Sequence, residues 1–509
     1  MANNQKVSAS RRPNVLFAAT TIFVLCLFIS SVAAPHSWIM PGDFSLRHDV
    51  EILVSSGDLK LTISAWPQNG RNLLLSLNEI EPSTLSIEEF SSYIRLMKYF
   101  SSNNSGAYTQ ISAIASTDRF LFRNFGSVIR NNSSFSVSTT YESDSLDIRL
   151  RGNLLDDEVL DDHGSLEGSY AGIQIKNWWI GVGYIDQWWG GGWENSLIVS
   201  TNASSMPGIT LIGQASEAPS NLLVSWIGPW YLSTSLSQME EERFVPKALF
   251  WKMRVGFRPF ESVELGLSRA AQFAGEGRKK SVGILLDMLA GIDNGRNSEG
   301  EEPGNQLAGY DIRYSREIMN KNIDFYFQTI GEDEGGGLPS RKMGLIGGSF
   351  PVSPSGQARY QSIRVYFEGV DSALDFYQKS RLWDTAYGNG IYQTGYRYLE
   401  RPIGTSFDRD TLAFSFGIVG IRPLATTNLV ISWVAINRGN NPEVLPDANR
   451  NSSAKQKFVE VKYQDELISL KRKNLTYYYG GYVRNEDLRS EIALVGKYAV
   501  YMGVSLVLN

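Results

Sequence analysis

The sequence predicts an all-β transmembrane barrel of about 18 antiparallel strands with a small N-terminal α-helical bundle. Three observations carry that expectation: an export signal, a long series of segments of alternating polarity, and an asymmetry between short and long connections. The last strand shows the alternation most plainly. Tyr498, Val500, Met502, Val504, Leu506 and Leu508 are apolar, and between them stand Lys497, Ala499, Gly503 and Ser505. Side chains two apart lie on one face of a strand, so this pattern gives one face to lipid and the other to the lumen.

The export signal occupies residues 1–33. Lys6, Arg11 and Arg12 are its charged start, Val15 to Ile29 its apolar core, and Ser31 to Ala34 its small residues, which places the cut after Ala33. The apolar run is shorter than the ~20 residues a spanning helix needs. Cys26 is the single cysteine and is removed with the signal, so disulfides and thiolate metal sites are not expected in the mature chain.

Residues 34–100 read as a helical bundle at the periplasmic end of the barrel. Asp43 can cap a helix carrying Leu46, Val50, Leu53 and Val54, which Gly57 stops. An extended piece from Leu61 to Trp66 precedes two further helical patterns. One carries Leu73, Leu74, Leu77 and Ile80, and the other carries Ile87, Phe90, Ile94, Met97 and Phe100 on one face.

The barrel is assigned to residues 101–509 and contains 18 candidate strands, from 107–116 to 491–508, with the sixth at 219–227. Connections at Glu142 to Ser145, Lys176 to Asn177, Gly228, Arg258 to Phe260 and Arg422 to Thr426 are short; those at 188–218, 275–306, 369–409 and 437–455 are long. Short periplasmic turns and long external loops are the pattern of outer-membrane barrels. Asp147, Arg149, Arg151, Glu264, Asp311, Arg313, Asp324, Arg364, Glu368, Glu460 and Lys462 fall on the inner face. There they either pair across strands or line an aqueous pore.

Composition narrows the partners. A net charge of -5 without a long basic stripe argues against nucleic acid, and an aromatic content of 12% suits girdles at two membrane interfaces. Catalysis and cofactors are not expected. A nucleophile needs a basic partner, and the chain has only three histidines: His36 beside the signal, His48 on the helices, and His163, which with Asp161 and Asp162 could bind a cation or form part of an acid-base site but reads as a solvated acidic loop.

Several short segments, in order, resemble the Wzi capsule-assembly proteins. They are Leu166-Glu167-Gly168-Ser169-Tyr170, Trp188-Trp189-Gly190, Trp226-Ile227-Gly228-Pro229-Trp230, Glu264-Leu265-Gly266-Leu267-Ser268-Arg269-Ala270, Gly275-Glu276-Gly277-Arg278, Asn305-Gln306-Leu307-Ala308-Gly309-Tyr310-Asp311, Gly331-Glu332-Asp333-Glu334 and Pro339-Ser340-Arg341-Lys342-Met343. The resemblance implies an outer-membrane lectin of a Gram-negative cell that holds capsular polysaccharide at the surface. Its other expected partners are outer-membrane lipids, lipopolysaccharide and, during biogenesis, the barrel-assembly machinery; a monomer is expected. A porin or polysaccharide export channel is the alternative.

For the glycan, two sets of residues are the candidates. Trp188, Trp189 and Trp193, set among glycines beyond an ascending strand, could stack on sugar rings or pack inside the barrel mouth. Glu276, Arg278, Glu332, Asp333, Glu334 and Arg341, at the outer ends of strands 9 to 12, could bind hydroxyls and acidic sugars or pair with one another.

Overall fold

The computed structural model describes residues 38–102, 106–156, 163–221, 223–278, 283, 304–319, 321–335, 338–354, 359–439, 454–469, 474–489 and 494–508. The expected signal with Cys26, Asp161, Asp162, most of a helical pattern at Ser281 to Ala290, and Asn509 lie outside the described residues.

A closed antiparallel barrel dominates the chain. Its strands are β1 (Ala107–Ser116), β2 (Ser133–Glu142), β3 (Leu146–Asp156), β4 (Tyr170–Ile175), β5 (Trp178–Tyr184) and β6 (Pro207–Ala215). Then come β7 (Trp230–Gln238), β8 (Leu249–Phe260), β9 (Val263–Phe273), β10 (Asn305–Ile318), β11 (Lys321–Gly335) and β12 (Leu338–Val352). The set ends with β13 (Ser362–Asp371), β14 (Leu412–Arg422), β15 (Ala425–Ile436), β16 (Gln456–Ile468), β17 (Leu475–Arg484) and β18 (Tyr498–Leu508). Each strand pairs with the next in sequence, and β18 closes on β1 with Leu506 opposite Ile111. A two-residue piece, Gly164–Ser165, extends the sheet beside Asn153 and Leu154.

Period-two alternation builds the wall. Ile173, Ile180, Val182, Leu267, Ile346, Phe414, Ile431, Val500 and Met502 are exposed on its outer surface, while their neighbours point into the lumen. An apolar outer band of this kind is what lipid requires of a closed sheet. The expected strand at 219–227 is not there. Residues 216–221 and 223–229 form a largely exposed connection with a short 3₁₀ helix at Ser225–Ile227, and the sixth strand is β6, which was hidden in the long loop expected at 188–218. Pro207, Gly208 and Gly213 weaken the strand signal of β6. The apolar run around Leu223, Val224 and Trp226 imitated a strand, yet these side chains stand exposed at the rim. Trp226 there packs edge-on against Phe257.

Three helices precede the wall: α1 (Phe44–Ser56), α2 (Gly70–Asn78) and α3 (Ile87–Ser102). Asp43 caps α1 by accepting from the Leu46 N–H at 2.9 Å, and Gly57 stops it at φ 93°. The helix enters the lumen from the end that carries the short turns. Ser55 Oγ donates to Asp324 Oδ1 at 2.8 Å, Arg258 Nη2 donates to the Val54 carbonyl at 2.7 Å, and Trp38 Nε1 donates to Gln174 Oε1 at 3.1 Å. Buried His48 lies between two groups of the wall, Arg364 and Ser362. Burial, then the nearby guanidinium groups of Arg364 and Arg95, holds its pKa well below the ordinary value. The neutral ring accepts from Arg364 Nε at Nδ1, 3.2 Å away, and meets Ser362 Oγ at 2.8 Å through Nε2. On α3 the buried apolar residues are Leu96 and Phe100, with Tyr93 and Met97 packed against the core. Ile87, Phe90 and Ile94, expected on that same face, are exposed instead.

Candidate functional site

The lumen is filled from both ends. From the long-loop end, the 185–206 connection descends until Trp188 and Trp189 pair with Trp66 and Ala65 in a short antiparallel ladder. The Gly190 N–H donates to the Ser64 carbonyl at 2.7 Å. Gly190 has φ 123°, and a side chain at Gly192 would strike the Asn195 carbonyl, so these glycines permit the sharp return of the loop inside the barrel. The 117–132 and 372–411 connections pack beside it. Tyr387 and Tyr396 hydroxyls donate to the Leu197 and Ile198 carbonyls at 2.6 and 2.9 Å.

This geometry corrects the expectation for the tryptophans. Trp188 is 1% exposed and Trp189 and Trp193 are 0% exposed, so their rings have no face to offer a sugar. Trp193 stacks on Phe44 at 6.0 Å and 7° on one side and on Tyr366 at 5.8 Å and 21° on the other. Arg47 lies 4.3 Å from the same ring centroid. A local pattern of Trp and Gly does not say that a loop turns inward, and the alternative of packing inside the mouth is the one the fold adopts.

Charges on the inner wall are largely matched. Arg254 grips Asp311 with two bonds of 2.6 and 2.8 Å. Glu51 of α1 meets Arg47 at 2.8 Å, Arg364 at 3.2 Å and Arg313 at 3.6 Å, and Asp324 takes Arg313 at 2.8 Å and Arg364 at 3.2 Å. Glu368 accepts from the backbone N–H groups of Trp193, Glu194 and Asn195, which anchors the inserted loop to β13.

The second set of expected site residues does gather at the long-loop end. Glu276 and Arg278 follow β9, Glu332, Asp333 and Glu334 end β11, and Arg341 lies near the start of β12. Several of them hold loops. Lys247 bridges Glu276 at 2.9 Å and Glu241 at 3.1 Å, and these hydrogen bonds, Glu276 first, raise its pKa above the ordinary value. Arg278 lies 5.5 Å from the Tyr392 ring centroid, and Glu332 accepts from the Tyr387 N–H.

An exposed aromatic surface that the sequence did not single out lies on the 372–411 connection. Tyr377 is 61% exposed and Trp383 38%. Arg438 and Arg381 stand 5.1 and 5.9 Å from the Trp383 ring centroid. Both arginines pair with Asp371, Arg381 at 2.6 Å. Below the indole, the Asp384 N–H donates to Asp410 Oδ2 at 2.8 Å and Arg409 Nη1 donates to the Asp384 carbonyl at 2.6 Å. The result is a held ring with one open side and two guanidinium groups. The available signal was Arg381-Leu382-Trp383, an aromatic beside cations within a long external connection.

Comparison with known proteins places this architecture. A solved structure, Wzi of Escherichia coli, superimposes with a TM-score of 0.77 at 24% identity, covering 92% of this chain and 99% of that one. A Klebsiella pneumoniae protein, the "Uncharacterized 55.8 kDa protein in cps region", is 33% identical over 313 residues, 61% of each chain. The match thus spans about three-fifths of that relative's length. Residues 102–421 match the family described as Capsule assembly protein Wzi, which is more than half of the sequence. With the closed barrel and its ordered motifs, that match establishes that the chain belongs to the Wzi capsule-assembly family.

Proposed function

We propose that this protein is a non-enzymatic outer-membrane lectin that binds capsular or exopolysaccharide at its long-loop face and helps attach or assemble it at the cell surface. The filled lumen is the observation that carries the reading. Bulky side chains from the plug and from the inserted loops meet in the middle of the barrel, which suits a scaffold presenting a surface and argues against the porin alternative. The Escherichia coli protein is described as a carbohydrate-binding β-barrel involved in group 1 capsule assembly, and the Klebsiella relative comes from a cps region. Both descriptions support the same function here. In this reading the helices and short turns are periplasmic and lipids and lipopolysaccharide surround the wall. The barrel-assembly machinery inserts the protein, which works as a monomer.

The glycan surface is assigned to Tyr377, Trp383, Arg381 and Arg438, flanked by Glu276, Arg278 and Arg341. Indole and phenol rings offer flat faces to the C–H side of sugars, and guanidinium groups grip acidic substituents. Trp383→Ala combined with Tyr377→Ala is expected to release capsule into the medium while heat-modifiable electrophoretic mobility stays normal. A single anchor of this kind is worth about 2 kcal/mol, and repeated contacts along a polymer multiply its loss. Full retention of capsule by the folded double variant would remove this surface from the site.

Orientation has its own test. Lys379→Cys, on the 372–411 connection, is expected to react with a membrane-impermeant maleimide on intact cells. Asp144→Cys, in the β2 to β3 turn, is expected to react only after the outer membrane is permeabilised. The opposite result would invert the topology.

A further inference from the structure

On β3 the matching of charge along the inner wall fails. Arg149 and Arg151 stand on the luminal face of β3, and among the described residues neither has a carboxylate within ion-pair distance. Arg149 Nη2 donates to Gln110 Oε1 at 3.3 Å and Arg151 Nη2 to Ser136 Oγ at 3.2 Å, both long bonds to neutral groups. Their Nε atoms, and that of Arg130, are buried without a hydrogen-bond partner. Two like charges two residues apart on one face repel, and the Asp186 carboxylate acts on Arg151 only from beyond ion-pair distance.

These arginines line a cavity of about 430 Å³ that runs beside the plug. Gln110 of β1, Ser134 of β2 and Asn153 of β3 contribute neutral polar side chains to its wall. At the long-loop side Arg130 pairs with Glu167 and reaches Asp186 at 3.6 Å. At the plug side the carboxylates of Asp43 and Glu466 line the same space. The volume falls in the range of small-ligand sites, about 300 to 1,000 Å³.

We infer that this cavity is a binding site for a carboxylated sugar unit, a hexuronate, with its carboxylate on Arg149 and Arg151 and its hydroxyls toward Ser134, Asn153 and Glu466. Two guanidinium groups without an ion-pair partner among the described residues favour an anion, and they suit a planar carboxylate. Ser134, Asn153 and the acidic far end suit sugar hydroxyls, and the same acidic end disfavours a compact dianion such as phosphate. The site is separate from the outer aromatic surface. The choice of a sugar rests on the polysaccharide-binding reading, while the need for an anion does not.

The test is equilibrium dialysis of labelled glucuronate against the full-length barrel folded in detergent at low salt, with glucose and inorganic phosphate as comparisons. Binding of glucuronate at least tenfold tighter than of either comparison is expected. The Arg149→Gln, Arg151→Gln double variant should lose that binding at least tenfold, and the double Lys variant should recover part of it. Normal heat-modifiable mobility establishes that each variant is folded. Absence of glucuronate binding, equal binding by the folded Gln variant, or tighter binding of phosphate would overturn the inference. If purified capsular polymer still binds the barrel in that case, the cavity assignment alone fails; if the polymer also does not bind, the lectin reading fails with it.

Discussion

Replacing Glu51 by alanine is expected to unseat α1 from the barrel. Its carboxylate sits among Arg47, Arg313 and Arg364, all buried, and shares the last two with Asp324. Removing it leaves three guanidinium groups facing one carboxylate in a region closed to water. Breaking a buried ion pair from one side costs about 3 to 5 kcal/mol, because the abandoned charge stays desolvated. Arg47 would be affected most. It would keep its bonds to the Gly191 and Gly192 carbonyls at 2.8 and 2.9 Å but lose its one carboxylate partner among the described residues. The expected readouts are a lowered denaturant midpoint in detergent and faster proteolysis near Gly57. An unchanged midpoint would mean that water reaches this cluster and screens it.

Trp193→Ala is the second large effect. The ring lies between Phe44 from the plug and Tyr366 from the wall, with Arg47 and Arg364 near its faces. Truncating a buried tryptophan costs about 3 to 5 kcal/mol through lost transfer energy and the cavity left behind. Trp193→Phe keeps one stacked ring and should lose less. Capsule retention by either variant is expected to fall only in proportion to the folded protein lost. That separates a core residue from a glycan contact: a fully folded Trp193→Ala barrel that released capsule would return the tryptophan to the site.

The wall was legible because its code is local. In β1 the period-two pattern fixes bounds of 107–116 that coincide with the observed strand. The helix stop at Gly57 and its cap at Asp43 are equally local, a glycine that can adopt positive φ and a carboxylate three residues ahead of a free N–H. β6 was missed because glycines and a proline dilute its pattern while a nearby turn is apolar. The interior was hidden for a different reason. Whether Trp189 faces solvent or the Ala65 strand depends on residues more than a hundred positions away. Even the charges were legible only in part, since their inward direction follows from alternation, but pairing such as Arg254 with Asp311 is a matter of register between strands.

The ladder between Ala65–Trp66 and Trp188–Trp189 joins the filling from the two ends into one strut across the bore. An empty cylinder of sheet can ovalise at little cost, since its strands need only change their twist. This one is braced internally, from Arg258 and Asp324 on the wall, through α1, to Glu368 on β13. Flattening it would shear those bonds together. On the lectin reading proposed above, drag from a bound polymer on the inserted loop passes through this strut to β8, β11 and β13.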